Sequence, residues 1–147
     1  VPLHPNPVVR ESFMPQVDGM SNVKVIEPLD YVGFAHLMLL CDFVLTDSGG
    51  VQEEAPSLGK PVLVLRDNTE RPEGVKAGTV KIVGTDEDRI VAETEMLISD
   101  PAAYARMANA VNPYGDGHAT ERSMAAIRHF FGRGERQPDF DSESAPV

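Results

Sequence analysis

The sequence is poor in the features that would place it in several broad classes. Cysteine occurs once, at Cys41, so no internal disulfide framework is available. No stretch reaches the about 18 consecutive apolar residues that a membrane-spanning helix needs. No basic segment followed by an apolar one opens the chain, as a secretory leader would. Basic residues are scarce: 13 Lys and Arg stand against 23 Asp and Glu, a formal charge of −10. Nucleic-acid partners and anionic membranes call for a basic surface, so neither is expected. The histidines at 4, 36, 118 and 129 show no metal-ligand spacing, and no metal is expected. A single cysteine suits a reducing compartment, with Cys41 expected to be a buried, inert thiol among apolar neighbours.

What remains is ordinary globular material. The chain has 147 residues, 41% of them hydrophobic and 24% charged, enough for one domain with a real core. It opens on Val1-Pro2-Leu3 without an initiator methionine. That opening reads as the tail of a buried strand and the chain as a piece of a longer protein. Short apolar runs recur: 23–26, 42–46, 61–65 and 79–83. The run at 61–65 is almost continuous, as in a strand covered on both faces. Helical patterns lie between and after them, at 31–40, 51–58, 86–98, 101–111 and 118–131. Thr85 and Asp88 suggest a capping box for the helix at 86–98, whose apolar face would hold Ile90, Val91, Thr94, Leu97 and Ile98. Met124, Ile127 and Phe131 form one stripe on the last helix. Strands alternating with helices predict an α/β fold with a Rossmann-like parallel sheet flanked by helices. One domain is expected over 1–132. The acidic stretch 133–147 is expected to be disordered.

The stretch TDSGGVQEEAPSLGK, residues 46–60, joins a predicted strand to a predicted helix. Open α/β sheets bind ligands at the carboxyl ends of their strands. Ser48, Gly49 and Gly50 would present backbone amides at a helix N-terminus, where unpaired N–H groups and the helix dipole favour an anion. A carboxylate in the following turn suits a ribose diol. A plain flexible turn, with acids complementing the dipole, accounts for the same spacing. Neither a P-loop nor a Gly-x-Gly-x-x-Gly pattern is present. Pro56 predicts that the helix is short or kinked.

Several blocks together carry a resemblance. TDSGGVQEEAPSLGKPVLVLRDNTERPEGVKAGTVKIVG, HPNPVVRE, EPLDYVGF and NPYGDGHATER resemble, in order, the blocks of the bacterial non-hydrolysing UDP-N-acetylglucosamine 2-epimerases. The likeness extends from about Val1 to Phe131. It implies the second, UDP-binding domain of a two-domain enzyme built like the B-type glycosyltransferases. It further implies that Ser48, Gly49 and Gly50 hold the diphosphate, Glu54 the ribose hydroxyls, and Arg71 a phosphate, with Phe34 at the uracil. Many members have glutamine where this chain has Leu29, which bears on uracil selectivity. In some members the histidine matching His4 touches a second, regulatory UDP-N-acetylglucosamine. A histidine capping the Pro-Asn-Pro turn is the alternative for His4.

The implied reaction inverts carbon 2 of UDP-N-acetylglucosamine by elimination and re-addition of UDP, without a cofactor. The carboxylates and histidine that move the proton belong to the first domain and to a Gly-His-Arg-Arg-Glu block upstream. No catalytic residue is therefore assigned within this chain, which is expected not to epimerise alone. A homodimer formed through the first domain is also implied. A glycosyltransferase donor domain and a non-catalytic nucleotide-sugar sensor are the competing readings. A UDP ligand would be held by local amides and placed arginines, since the overall field is acidic.

Overall fold

A computed structural model describes residues 1–141, and the chain divides into two compact units, 1–40 and 41–147. In the first unit, Pro2 forms a parallel bridge to Ile26. The expected strand at 23–26 is reduced to this bridge, closed by Leu3 N–H to the Ile26 carbonyl at 3.0 Å and Ile26 N–H to the Val1 carbonyl at 2.9 Å. Helix α1, Pro7–Val17, was not anticipated. It begins with Asn6 as N-cap, whose Oδ1 accepts from Val8 N–H at 3.0 Å, and with Pro7 in the first turn. Pro15 removes one backbone donor, and the helix ends two residues later. Arg10 on α1 makes a two-pronged pair with Glu27 at 2.8 and 2.6 Å, tying the helix to the bridged segment. Helix α2, Tyr31–Leu40, follows where expected, and Asp30 Oδ1 accepts from Gly33 N–H at 2.8 Å in its first turn.

The second unit contains a parallel sheet. Strands β1 (Val44–Thr46), β2 (Val62–Val64) and β3 (Val80–Ile82) lie in that order, with Val44, Val62 and Val80 in register. The central strand β2 is fully buried, which is why its sequence is a continuous apolar run. Helices α3 (Gly49–Glu54), α4 (Pro72–Ala77), α5 (Glu87–Ser99), α6 (Pro101–Ala108) and α7 (Ala119–Phe130) connect and follow the strands. A 3₁₀ turn over Ala55–Leu58 continues α3, because Pro56 lacks the N–H that another α-helical turn would require. Gly59 then closes the turn in the left-handed region at φ 66°. Leu63 on β2, Val83 and Leu97 on α5 form the centre of the core, with Phe43, Leu65, Ile90 and Met107 packed around them.

Several expectations need correction. The cap of α5 is Asp86, whose side chain accepts from Arg89 N–H at 2.9 Å; the expected Thr85–Asp88 box is not used. Val91 and Ile98 of α5 are exposed, so its inner face is narrower than the apolar pattern suggested. Helix α6 stops at Ala108, short of Val111. The α7 stripe of Met124, Ile127 and Phe131 lies open to solvent. Cys41 is half-buried, and burial pushes its thiol above the ordinary value. Residues 133–141 carry no helix or strand, and Arg122 of α7 donates to the Pro138 carbonyl at 3.1 Å. The expected disorder over 142–147 concerns residues outside those described.

The core makes a direct prediction. Leu63 has no solvent exposure, so Leu63→Ala should destabilise the chain by about 2–5 kcal/mol through lost burial and a residual cavity. Urea unfolding would show a lower midpoint at unchanged slope. A midpoint equal to that of the parent would contradict the assignment of β2 as the core strand.

Candidate functional site

Parallel pairing of β1 and β2 places Thr46 beside Val64. The segments leaving both strands therefore emerge on the same edge of the sheet. One is the turn that leads into α3. The other is the 65–71 loop that leads into α4. A side-chain network joins them. Gln52 on α3 has no solvent exposure. Its Nε2 donates to the Ser48 carbonyl at 3.2 Å, and its Oε1 accepts from the Thr69 hydroxyl at 2.6 Å. The Thr69 oxygen in turn accepts from Arg71 N–H at 3.1 Å. A buried amide satisfied at both ends thus sets the spacing between the two segments.

Ser48 caps α3 in extended conformation, φ −79° and ψ 130°, without a side-chain cap bond. Its N–H donates to Thr46 Oγ1 at 3.0 Å, so it is not one of the free amides expected there. Gly49 and Gly50 begin the helix, where N–H groups have no intrahelical acceptor, and neither bonds elsewhere among the described residues. A Cβ on Gly49 would lie 2.7 Å from Arg71 Nη1, 2.9 Å from Glu70 Oε1 and 3.0 Å from Arg71 Cζ. The Arg71 guanidinium therefore rests directly on Gly49, an approach that only glycine permits. A Cβ on Gly50 would meet only Glu54 Oε1, at 3.6 Å, an ordinary contact. Glu54 is half-buried and forms no ion pair or side-chain hydrogen bond with the described residues.

Arg71 is the N-cap residue of α4. Its Nε donates to Glu53 and its Nη1 to Glu70 Oε1 at 2.7 Å. Glu70 also accepts from Arg66 at 2.9 Å. The hydrogen bond to Glu53, and then the charges of Glu53 and Glu70, hold Arg71 even more firmly protonated than usual. Glu70 is kept below the ordinary carboxylate range, first by its own backbone amide and then by Arg66. Tyr114, from the Asn112–Gly117 loop, accepts from Gly74 N–H at 3.1 Å and donates to the Arg71 carbonyl at 3.3 Å. Two glycine amides beside a planar cation, with a carboxylate one helical turn away, can bind an anion that carries a polyol.

Ser48, Gly49, Gly50, Glu54 and Arg71 are thus gathered at one sheet edge in the second unit. His4 and Phe34 lie in the first unit. Phe34 is half-buried on α2, and Leu29 is exposed just before that helix. His4 Nδ1 accepts from Asn6 N–H at 3.1 Å, the turn-capping geometry named as its alternative role. Gln52, Thr69 and Tyr114 carry the site's internal bonding and were not singled out by the sequence. Their one signal was a glutamine at the inward position of a short helix. Among the described residues no cluster of His, Cys, Asp or Glu is arranged to hold a metal ion, and no helix is long and apolar enough to cross a membrane.

Comparison with known proteins bears on this site. A family model described as UDP-N-acetylglucosamine 2-epimerase matches residues 1–128. The UDP-N-acetylglucosamine 2-epimerase of Bacillus subtilis (strain 168) is 52% identical over 138 residues, covering 94% of this chain and 36% of that protein. The structure of S. aureus MnaA with UDP superposes with a TM-score of 0.89 at 47% identity, covering 95% of this chain and 39% of that one. The UDP-GlcNAc 2-epimerase of Neisseria meningitidis bound to UDP-GlcNAc superposes with a TM-score of 0.80 at 50% identity, covering 87% of this chain and 35% of that one. This chain thus spans about a third of the length of the curated relatives it matches.

The buried strut yields a second prediction. Gln52→Leu keeps much of the side chain's bulk but removes the acceptor of the Thr69 hydroxyl proton and the side-chain donor to the Ser48 carbonyl. Loss of about 1–3 kcal/mol of stability is expected. Denaturant unfolding measures it. A neutral substitution would show that water reaches these groups and that the strut is not what joins the loops.

Proposed function

This chain belongs to the UDP-N-acetylglucosamine 2-epimerase family. From that membership we propose that it is the UDP-holding part of an isomerase that converts UDP-N-acetylglucosamine into UDP-N-acetylmannosamine. The observation that carries the reading is the Arg71 guanidinium lying on Gly49, beside the Gly49 and Gly50 amides, which have no acceptor among the described residues. In the proposed pose the diphosphate sits on the Gly49 and Gly50 amides and the Ser48 hydroxyl, against Arg71. Glu54, which has no partner among the described residues, accepts the ribose hydroxyls. For Phe34, which belongs to the first unit, a uracil contact is the proposed role, carried by the family likeness alone. His4 is a candidate contact for a second, regulatory nucleotide-sugar.

The proposed reaction removes the proton from sugar carbon 2 as the bond from carbon 1 to UDP breaks. UDP then returns to carbon 1 while a proton is delivered to the opposite face of carbon 2. UDP is both leaving group and returning nucleophile, so holding it raises its effective concentration for return. Fixed amides and a permanent cation stabilise the charge that develops on the departing diphosphate. The groups that move the proton are assigned to protein outside these residues. The chain alone is expected to bind UDP without turnover. A cytoplasmic homodimer, joined through a first domain and serving cell-surface polysaccharide synthesis, is the setting we propose. The family match over 1–128 favours this reading over a glycosyltransferase donor domain, which would share only the anion site.

Thermal unfolding against UDP tests the reading. At 100 times its dissociation constant, UDP should add about 2.7 kcal/mol of stability. Arg71→Ala should weaken UDP about 10- to 100-fold, the effect of losing charge-assisted hydrogen bonds. A folded chain that does not respond to UDP at millimolar concentration, or an Arg71→Ala variant that responds like the parent, would defeat the proposed role of this edge.

A further inference from the structure

We infer that Tyr114 is a positioning residue for Arg71: its hydroxyl fixes the main chain at the start of α4 so that the guanidinium is held over Gly49. This inference rests on the UDP site proposed above. Helix N-caps are usually Ser, Thr, Asp or Asn, whose own side chains satisfy the second or third amide of the helix. Here the N-cap is Arg71, and its side chain makes no cap bond. It is spent instead on Glu53 and Glu70. The N–H of Gly74, the third residue of α4, is satisfied by the Tyr114 hydroxyl at 3.1 Å, from 40 residues away in sequence. The same hydroxyl donates to the Arg71 carbonyl at 3.3 Å.

Close packing supports a built contact. A Cβ on Gly74 would fall 2.9 Å from Tyr114 Oη and 3.0 Å from Val80 Cγ2, so a larger residue there would evict the hydroxyl. Burial pushes the Tyr114 phenol above its ordinary value, so it stays protonated and serves as both donor and acceptor near neutral pH. The opposite side of the Arg71 main chain is also held, since its N–H donates to Thr69, which bonds Gln52. Tyr114 is itself located from the other half of the site. Its N–H donates to Asn112 Oδ1 at 3.1 Å, and Asn112 Nδ2 donates to Ser57 Oγ at 2.7 Å, in the 3₁₀ turn that continues α3. The loop at 112–114 therefore spans from the end of the Gly49 helix to the start of the Arg71 helix.

A double-mutant cycle on the 147-residue chain, read by calorimetric titration with UDP, tests this. Tyr114→Phe keeps the ring and removes only the hydroxyl. It should raise the UDP dissociation constant about tenfold in the parent and less than about twofold in an Arg71→Ala background. A helix cap with no bearing on Arg71 would instead lower the unfolding midpoint and leave UDP affinity as it was, which would overturn the inference. Equal losses in both backgrounds would also overturn it, since Tyr114 would then act on UDP by another route. If Arg71→Ala itself left UDP binding unchanged, the UDP site would fall and this inference with it. Asn112→Ala releases the loop at its other end and should give the same coupled signature. It provides the same readout should Tyr114→Phe not fold.

Discussion

A side-chain amide with no access to water must find its hydrogen bonds inside the protein, and the bonds that Gln52 finds govern the geometry around it. One end holds the Ser48 carbonyl and the other the Thr69 hydroxyl. The first bond belongs to the segment after β1, the second to the segment after β2. Parallel pairing brings these segments to one edge of the sheet, but only their bonding fixes the distance between them. From Thr69 the constraint passes to the Arg71 amide, and from there to a guanidinium that lies on Gly49. The site edge thus depends on one buried hydrogen-bonded pair more than on any ion pair.

The ion pairs have a different role. Arg71, Glu53, Glu70 and Arg66 form a chain of alternating charge at half-exposed positions. Such pairs contribute only about 0–1 kcal/mol each. They are too weak to hold the fold, and weak enough to be exchanged. A phosphate would meet a cation already aimed by two carboxylates and could take their place at modest cost. In a protein of net charge −10, this local arrangement is what would let an anion compete at all.

Much of the scaffold was legible in the sequence, and the reasons are physical. The strands at 44–46, 62–64 and 80–82 lie within the predicted apolar runs, and the run is most continuous at 62–64, where the central strand is fully buried. Helix α2 was legible to the residue, and the 3₁₀ turn after α3 was foreshadowed by Pro56. Helix α1 escaped because Pro7 and Pro15 punctuate a segment with no strong apolar stripe. The cap of α5 was misplaced by one residue, since Thr85 and Asp86 both suit an N-cap and only the fold decides which carbonyl comes first. The hydrogen bonds of Gln52 and Tyr114 reach 17 and 40 residues along the chain. Periodicity reports only local order, so it could not indicate them.

The two glycines of the Asp-Ser-Gly-Gly turn illustrate the same limit. In sequence they look equivalent, and both read as room for a phosphate. In the structure their reasons separate. At Gly49 the Arg71 guanidinium occupies the space that a Cβ would take, so a larger residue there would push the guanidinium aside. Gly50 meets no such demand, since a Cβ there would make only an ordinary contact with Glu54. If space is kept for a ligand, it is kept at Gly50, beside a carboxylate with no partner among the described residues, while Gly49 lets the cation come within reach. One short motif therefore answers two constraints: intramolecular packing at its first glycine, and open space beside the Glu54 carboxylate at its second.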